Sequence, residues 1–523
     1  MADNVVAAHD VSKSFAGVRA LHQVDLAIAP GEIHCLVGEN GSGKSTLIKI
    51  ISGVYEPDEG IIEFGGTRYT RVTPIEAIMN GVQVIYQDFS VFPNLTVMEN
   101  LAITTELANK RKLVNWRRFR RIAEEAVSKI HFSVDLDAKV AKLSVADKQL
   151  VAISRALMHH AKLIIMDEPT TALTTKEVNA LFQIILDLKS RGIATLFVSH
   201  KLEEVFEISE RFTIIRNGEV VADCLPSELD RKKFSYFMTG REIEDTRFQA
   251  VEPTGAPLLQ AEGLGLRGGF QDVSFSLWGG EILGITGLLG SGRTELALTL
   301  FGAHTADAGV LKVKGEPVRL TGIRKAIDAN IAYVPEDRLT EGLFLERSIG
   351  DNIVISEFDG ITRALGILDR PKQQAEVQHW VDELKVATPD PDNAANTLSG
   401  GNQQRIVLAK WLATKPDILI LNGPTVGVDI GSKHDIHQIL QRLAAQGIGI
   451  IIISDDIPEV ITNCNRVLVM RGGRIDQEID PTVTTEKQLA DLMGRTTVVD
   501  EVAGHDTVTG DGLVARDEEV TAK

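Results

Sequence analysis

Short apolar runs of strand length, each followed by a turn and then by a stretch of helical period, punctuate the chain from end to end. Residues 32–37 form one such run, a glycine-rich turn follows at 38–45, and residues 47–51 carry apolar side chains at helical spacing. Residues 281–286 open the same sequence of events later in the chain. Further strand-like runs at 82–86, 162–166 and 194–199 alternate with helical stretches, and residues 96–160 are richer in charge and helical period. The alternation predicts an α/β fold in which a parallel sheet is covered by helices.

The pattern repeats. Gly38 and Gly287, which open the two glycine-rich turns, stand 249 positions apart. Leu143 and Leu398, Asp167 and Asn422, and His200 and Asp455 all share a spacing of 255. Several landmarks at one offset imply two related halves, with a small loop insertion between the glycine turn and the later motifs. The halves meet where Glu244, Asp245, Glu252, Pro253, Gly255 and Pro257 cluster without apolar period. The expected division is therefore a first unit at 5–240, a linker at 241–257, a second unit at 258–495 and a disordered acidic tail at 496–523.

Composition narrows the class. A chain of 523 residues, 44% hydrophobic, can bury more than one core, and a net charge of −17 argues against an extended nucleic-acid groove, which needs clustered Lys and Arg. The run Arg117, Arg118, Arg120 and Arg121 passes into Glu124 and Glu125 at helical spacing and reads as a solvated helix face. Cys35, Cys224 and Cys464 lack metal-ligand spacing, so neither zinc nor a disulfide scaffold is expected and a reducing cytoplasm is the default. No apolar run approaches the roughly 20 residues of a membrane-spanning helix, so a membrane role is expected to come through a partner.

The chemistry begins at Gly38-Glu39-Asn40-Gly41-Ser42-Gly43-Lys44-Ser45-Thr46, a phosphate-binding loop in its required strand, loop, helix setting. Its backbone N–H groups suit the phosphate oxygens of a nucleotide, Lys44 the charge of the β and γ phosphates, and Ser45 a Mg²⁺ ion. The strand ending at Asp167-Glu168 offers one carboxylate for the ion's water shell and one to polarise the attacking water. Gln87, after a strand, suits contact with Mg²⁺ and that water, and His200, closing another, suits the γ-phosphate. Phe15 could stack on adenine, with a buried aromatic as the competing reading.

Leu398-Ser399-Gly400-Gly401-Asn402-Gln403-Gln404 resembles the signature of ABC-type ATPases, and the order of the other motifs is similar to that family over almost the whole chain. Gly-Arg-Thr at 292–294 and Pro335-Glu336-Asp337-Arg338 in place of a glutamine loop resemble the ATP-binding subunits of ribose, galactose and xylose-type sugar importers. The resemblance implies two tandem P-loop NTPase cassettes, each a RecA-like parallel-sheet core with an antiparallel β subdomain and a helical subdomain. It also implies head-to-tail pairing, in which the signature of one cassette completes the nucleotide site of the other. Ser399, Gly400, Gly401 and Asp429 would then complete the site built on Lys44.

The opposite site would be poor. It pairs Arg293 and Thr294 with Ser144-Val145-Ala146-Asp147, and it has Glu336, Asn422, Gly423 and Asp455 where the first site has Gln87, Asp167, Glu168 and His200. Thr174 stands in the first half where Asp429 stands in the second. The losses collect on one site, so the expectation is one hydrolytic site and one that at most holds nucleotide. The family resemblance implies ATP and Mg²⁺ as cofactors, a transmembrane sugar permease and an extracytoplasmic solute-binding protein as partners, and a peripheral place on the cytoplasmic face of the inner membrane. The alternative, a soluble twin-cassette ATPase of translation or regulation, would carry two competent sites and a basic surface for RNA.

Overall fold

The structure is a computed structural model that describes residues 4–15, 18–86, 91–108, 114–130, 132–158, 160–170, 173, 175–199, 202–242, 247–248, 255–363 and 367–494. The expected tail at 496–523 and most of the expected linker fall outside these residues.

Each half opens with an antiparallel sheet. Val6–Phe15 lies between Val18–Ile28 and Glu59–Phe64, with Thr67–Tyr69 at the edge. The second half repeats this order with Phe270–Leu277, Leu259–Leu266, Ala308–Val313 and Glu316–Val318. Alternation of buried and exposed residues along these strands follows from one face packing inward.

The phosphate loops leave six-stranded core sheets. In the first half the order runs Val82–Ile85, Leu163–Asp167, Ala194–Val198, Ile33–Val37, Arg211–Arg216 and Glu219–Cys224. The second half has Ile331–Val334, Ile418–Asn422, Gly449–Ile453, Ile282–Thr286, Arg466–Arg471 and Arg474–Ile479 in matching places. The central strands are buried along their whole length, His34 and Thr195 included, because both faces of the sheet are covered. The sheets are not purely parallel, as the apolar pattern had suggested. Glu219–Cys224 and Arg474–Ile479 return antiparallel after two-residue turns, Asn217-Gly218 and Gly472-Gly473, whose residues all have positive φ.

Helices Val97–Ala108, Trp116–Ser128 and Val145–Leu157 pack on one another as the helical part of the first half. Trp116–Ser128 turns Phe119, Ile122, Ala123 and Ala126 inward, and Arg120 forks onto the Asp137 carboxylate at 2.8 Å. The halves also touch. Helix Ile430–Ala445 packs against Arg231–Thr239, Ile430 adds to the apolar core of the first half, and Arg241 lies 3.7 Å from Asp435. Phe248, within the expected linker, donates its N–H to the Thr462 carbonyl and packs on the second core.

Candidate active site

Both phosphate loops are shaped by glycines that nothing else could replace. Gly43 has φ 111°, and a Cβ there would lie 2.6 Å from the Ala20 carbonyl oxygen. Gly38 has no room either, since a Cβ would meet the Ile215 carbonyl at 2.3 Å and Ser42 Oγ at 2.4 Å. Ser42 Oγ is buried in this cradle with no hydrogen-bond partner in the structure, which fits a loop whose donors are meant for phosphate oxygens. Asn40 and Gly41 are exposed at its lip, Ser45 is exposed and Thr46 half-buried at the start of helix Lys44–Ile51.

Lys44 is folded onto the loop, donating to the Gly38 carbonyl at 2.6 Å and the Glu39 carbonyl at 2.9 Å. Burial holds its pKa below the usual lysine value, against the pull of Glu168, Asp167, Asp429 and Glu39. Asp167, at the end of its strand, is raised by burial and by Glu168 beside it, with Lys44 and Lys49 acting the other way. Glu168 follows in left-handed backbone, φ 50°, a costly conformation for a residue with a side chain. These groups fit Mg²⁺-ATP: the Lys44 ammonium supplies positive charge to the phosphates, and the Ser45 hydroxyl and Asp167 carboxylate supply oxygens of the kind a phosphate-bound ion takes. Phe15, 38% exposed, meets Tyr55 edge-on with ring centres 5.2 Å apart, so it is not the buried aromatic of the competing reading. Gln87, His200 and Thr174 lie outside the described residues.

The second half reaches this site directly. Asp429 contributes to the field at both Lys44 and Glu39, and Gly431, in the first turn of helix Ile430–Ala445, stands against the Glu39 carboxylate and acts to lower its pKa. A Cβ on Gly431 would stand 2.6 Å from Glu39 Oε1, so the approach depends on glycine there. Burial and then the Asp429 charge raise the Glu39 pKa. The glycine-rich signature sits immediately behind this contact: a Cβ on Gly401 would overlap Ser432 Oγ at 2.1 Å, and Ser432 caps onto Asp429. Ser399 precedes helix Gly400–Leu412 without closing on that helix's own N–H groups, its Oγ taking a bond from Asn402 at 3.0 Å.

The sequence pattern of the ABC transporter family matches at residues 21–171 and again at 270–426, together more than half of the chain. The chain belongs to the ABC transporter family. It is an ABC-type ATPase built from two cassettes. It is 40% identical over 480 residues to ribose import ATP-binding protein RbsA 2 of Rubrobacter xylanophilus, spanning 92% of each chain. A putative ribose/galactose/methyl galactoside import ATP-binding protein of Rhizobium meliloti is 37% identical over 94% of this chain and 96% of its own. Among solved structures, the ATP-binding cassette MJ1267 in its ADP conformation is 28% identical, with a TM-score of 0.41 over 46% of this chain and 99% of its own.

The second phosphate loop keeps the glycines and Ser291 but departs from the first at Arg293, Asn422, Gly423 and Asp455. Arg293 donates to the Gly287 carbonyl at 2.8 Å, and its other nitrogen lies 3.3 Å from the Asp455 carboxylate. Asn422 is buried and only reaches the Tyr333 hydroxyl, at 3.5 Å. Gly423 takes φ 60°, close to the 50° of Glu168, with no side chain to direct at water. In the partner signature, Ser144 Oγ accepts from the Asp147 N–H at 3.0 Å and donates to the Asp147 carboxylate at 2.9 Å. That hydroxyl thus closes on a backbone N–H of its own helix, whereas Ser399 Oγ takes only the Asn402 side-chain bond. The Ser144–Asp147 closure and the approach of Gly431 to Glu39 are not legible in the sequence, because each depends on contacts rather than on residue type.

Proposed function

We propose that this chain is the ATP-hydrolysing, energy-coupling subunit of a bacterial importer for a monosaccharide or a related polyol. Ribose and galactose appear in the names of its relatives, which supports this substrate class. Cassettes at 5–240 and 258–495, joined through 241–257, act on transmembrane permease subunits from the cytoplasmic face of the membrane, and the permease receives sugar from an extracytoplasmic binding protein. No described helix is long and apolar enough to cross a membrane, in keeping with force being passed to a partner.

Hydrolysis takes place at one site. The phosphate loop from Gly38 to Thr46 binds ATP, Phe15 packs on the adenine, and Lys44 neutralises phosphate charge. Ser45, Asp167 and Gln87 hold Mg²⁺, which when bound supplies charge neutralisation across the β and γ phosphates. Glu168 polarises the attacking water, with Gln87 and His200 orienting it and the γ-phosphate. Ser399, Gly400, Gly401 and Asp429 complete the site from the second cassette. The observation that carries this reading is the close approach of Gly431, two residues after Asp429, to the Glu39 carboxylate across the cassette boundary, where helix Ile430–Ala445 packs on Arg231–Thr239.

The test is ATP hydrolysis by the chain reconstituted with its permease in lipid vesicles. Hydrolysis should rise when sugar-loaded binding protein is supplied, and Glu168→Gln should remove turnover while ATP still binds. Turnover that ignores sugar and permease but responds to RNA or ribosomes would instead establish the soluble alternative.

A further inference from the structure

The loop that replaces a glutamine loop in the second cassette is built as a clamp. Arg338 sends Nη1 to the Val426 carbonyl at 2.8 Å and Nη2 to the Gly427 carbonyl at 3.1 Å, the two carbonyls that lead into Asp429. Its Nε lies 3.5 Å from Gln403 Oε1 on the signature helix. The same guanidinium covers Gly400, where a Cβ would stand 2.8 Å from Nη2, and Gly427, φ 67°, where a Cβ would stand 3.2 Å from Nη1. Two glycines therefore make room for one arginine, which spans the start of the signature and the turn before Asp429.

The loop around Arg338 is fixed at both ends. Asp337 accepts from the N–H groups of Leu339 and Thr340 and from the Thr340 hydroxyl, setting the single π turn Arg338–Gly342. At the far end Lys410, on the signature helix, donates to the Gly342 carbonyl at 2.7 Å, and a Cβ on Gly342 would meet Val407 Cγ2 at 3.1 Å. The loop and the signature helix thus form one unit.

A loop in this position has no water to activate in its own cassette, where Gly423 and the Arg293–Asp455 pair stand. Its contacts lead instead to Gly400 and Gln403 of the signature helix and to the turn before Asp429, whose charge reaches Lys44 of the first cassette. We propose that Arg338 is a positioning residue for hydrolysis at the Lys44 site, holding the second cassette's signature and its Asp429 turn at the spacing that site requires. This rests on the reading that the second cassette completes the first cassette's site. The fork matters as well as the charge, because one planar guanidinium reaches two carbonyls that a single ammonium cannot bridge in the same plane.

The experiment is a double-substitution cycle on the full chain, using Arg338→Ala, Ser399→Ala and both together, with Arg338→Lys alongside. Each protein is assayed for kcat and KM with Mg²⁺-ATP and for its thermal midpoint. Arg338→Ala should lower kcat by about tenfold to a hundredfold, as displacement of a positioned group does. KM should change by less than about threefold, and the midpoint should hold, which separates positioning from folding. In the Ser399→Ala background the same change should cost less than about threefold more, because both act through one set of donors. Arg338→Lys should recover only part of the loss. Wild-type kcat in Arg338→Ala, or fully multiplicative effects in the double variant, would overturn the proposal. If Arg338→Ala does not fold, Arg338→Lys decides through the same cycle, and wild-type kcat there overturns it. Wild-type kcat in Ser399→Ala alone would show that the shared-site reading has failed, and this proposal with it.

Discussion

The guanidinium of Arg293 lies 3.3 Å from the carboxylate of Asp455, so the only cation of the second phosphate loop is answered from within its own cassette. Lys44, in the matching place, instead faces Asp167 and Glu168, together with Asp429 from the other cassette. The same loop architecture thus serves two electrostatic situations. Asp455→Asn should release Arg293 and raise the amount of nucleotide retained per chain without raising kcat, measured by equilibrium binding of labelled ATP. Because Asp455 is largely exposed, the thermal midpoint should barely move. Arg293→Ala should alter hydrolysis far less than Lys44→Ala.

Glu168 and Gly423 share one backbone conformation, φ 50° and φ 60°, so the carboxylate proposed to polarise water stands at a strained position. Glu168→Gly should abolish turnover yet leave the denaturation midpoint unchanged or higher. Gly423→Ala should destabilise the chain by about 1 kcal/mol or more, since left-handed backbone disfavours a side chain. Space adds to that penalty, because a Cβ there would stand 2.8 Å from Val426 Cγ2 and 3.2 Å from Glu336 Cγ. Restoring Glu at 423 and Asp at 422 should therefore fail to produce a second hydrolytic site, read as no gain in kcat. A gain would show that chemistry alone, and not the packing around Gly423, had been lost.

Lys410 sits in the signature helix with its ammonium on the Gly342 carbonyl and over the Trp411 ring, and burial lowers its pKa to about 8. A lysine whose pKa is lower folded than unfolded binds fewer protons in the folded state, so stability rises with pH across that interval. Between about pH 8 and the unfolded value near 10.4, the wild type should gain stability relative to Lys410→Met. Below pH 8 the difference between them should be flat. Chemical denaturation across this range measures it, and a slope of opposite sign would contradict the burial of a protonated lysine at this position.

The duplication and the sorting of the defects could be read in the sequence because each rests on residue type at a fixed spacing, as with Lys44 against Arg293 or Glu168 against Gly423. The two antiparallel edge strands could not, since a short strand such as Glu219–Cys224 reads alike in either direction and the turn that reverses the chain is two residues long. The closure of Ser144 on Asp147 was hidden for a different reason: a serine followed three residues later by an acid signals a helix start, and only the geometry gives the hydroxyl two bonds there. By residue type Gly401 belongs to the signature, and the structure adds that its lack of a side chain admits Ser432, which carries the Asp429 turn against the signature.

Trapping of the hydrolysis product tests the one-site account most directly. The chain with its permease is allowed to turn over photoreactive ATP in the presence of vanadate, and the trapped ADP is counted and mapped after cleavage between the cassettes. The account predicts one trapped ADP per chain, attached to the first cassette, and almost none in Ser399→Ala. Two per chain, or label shared equally between the cassettes, would contradict it.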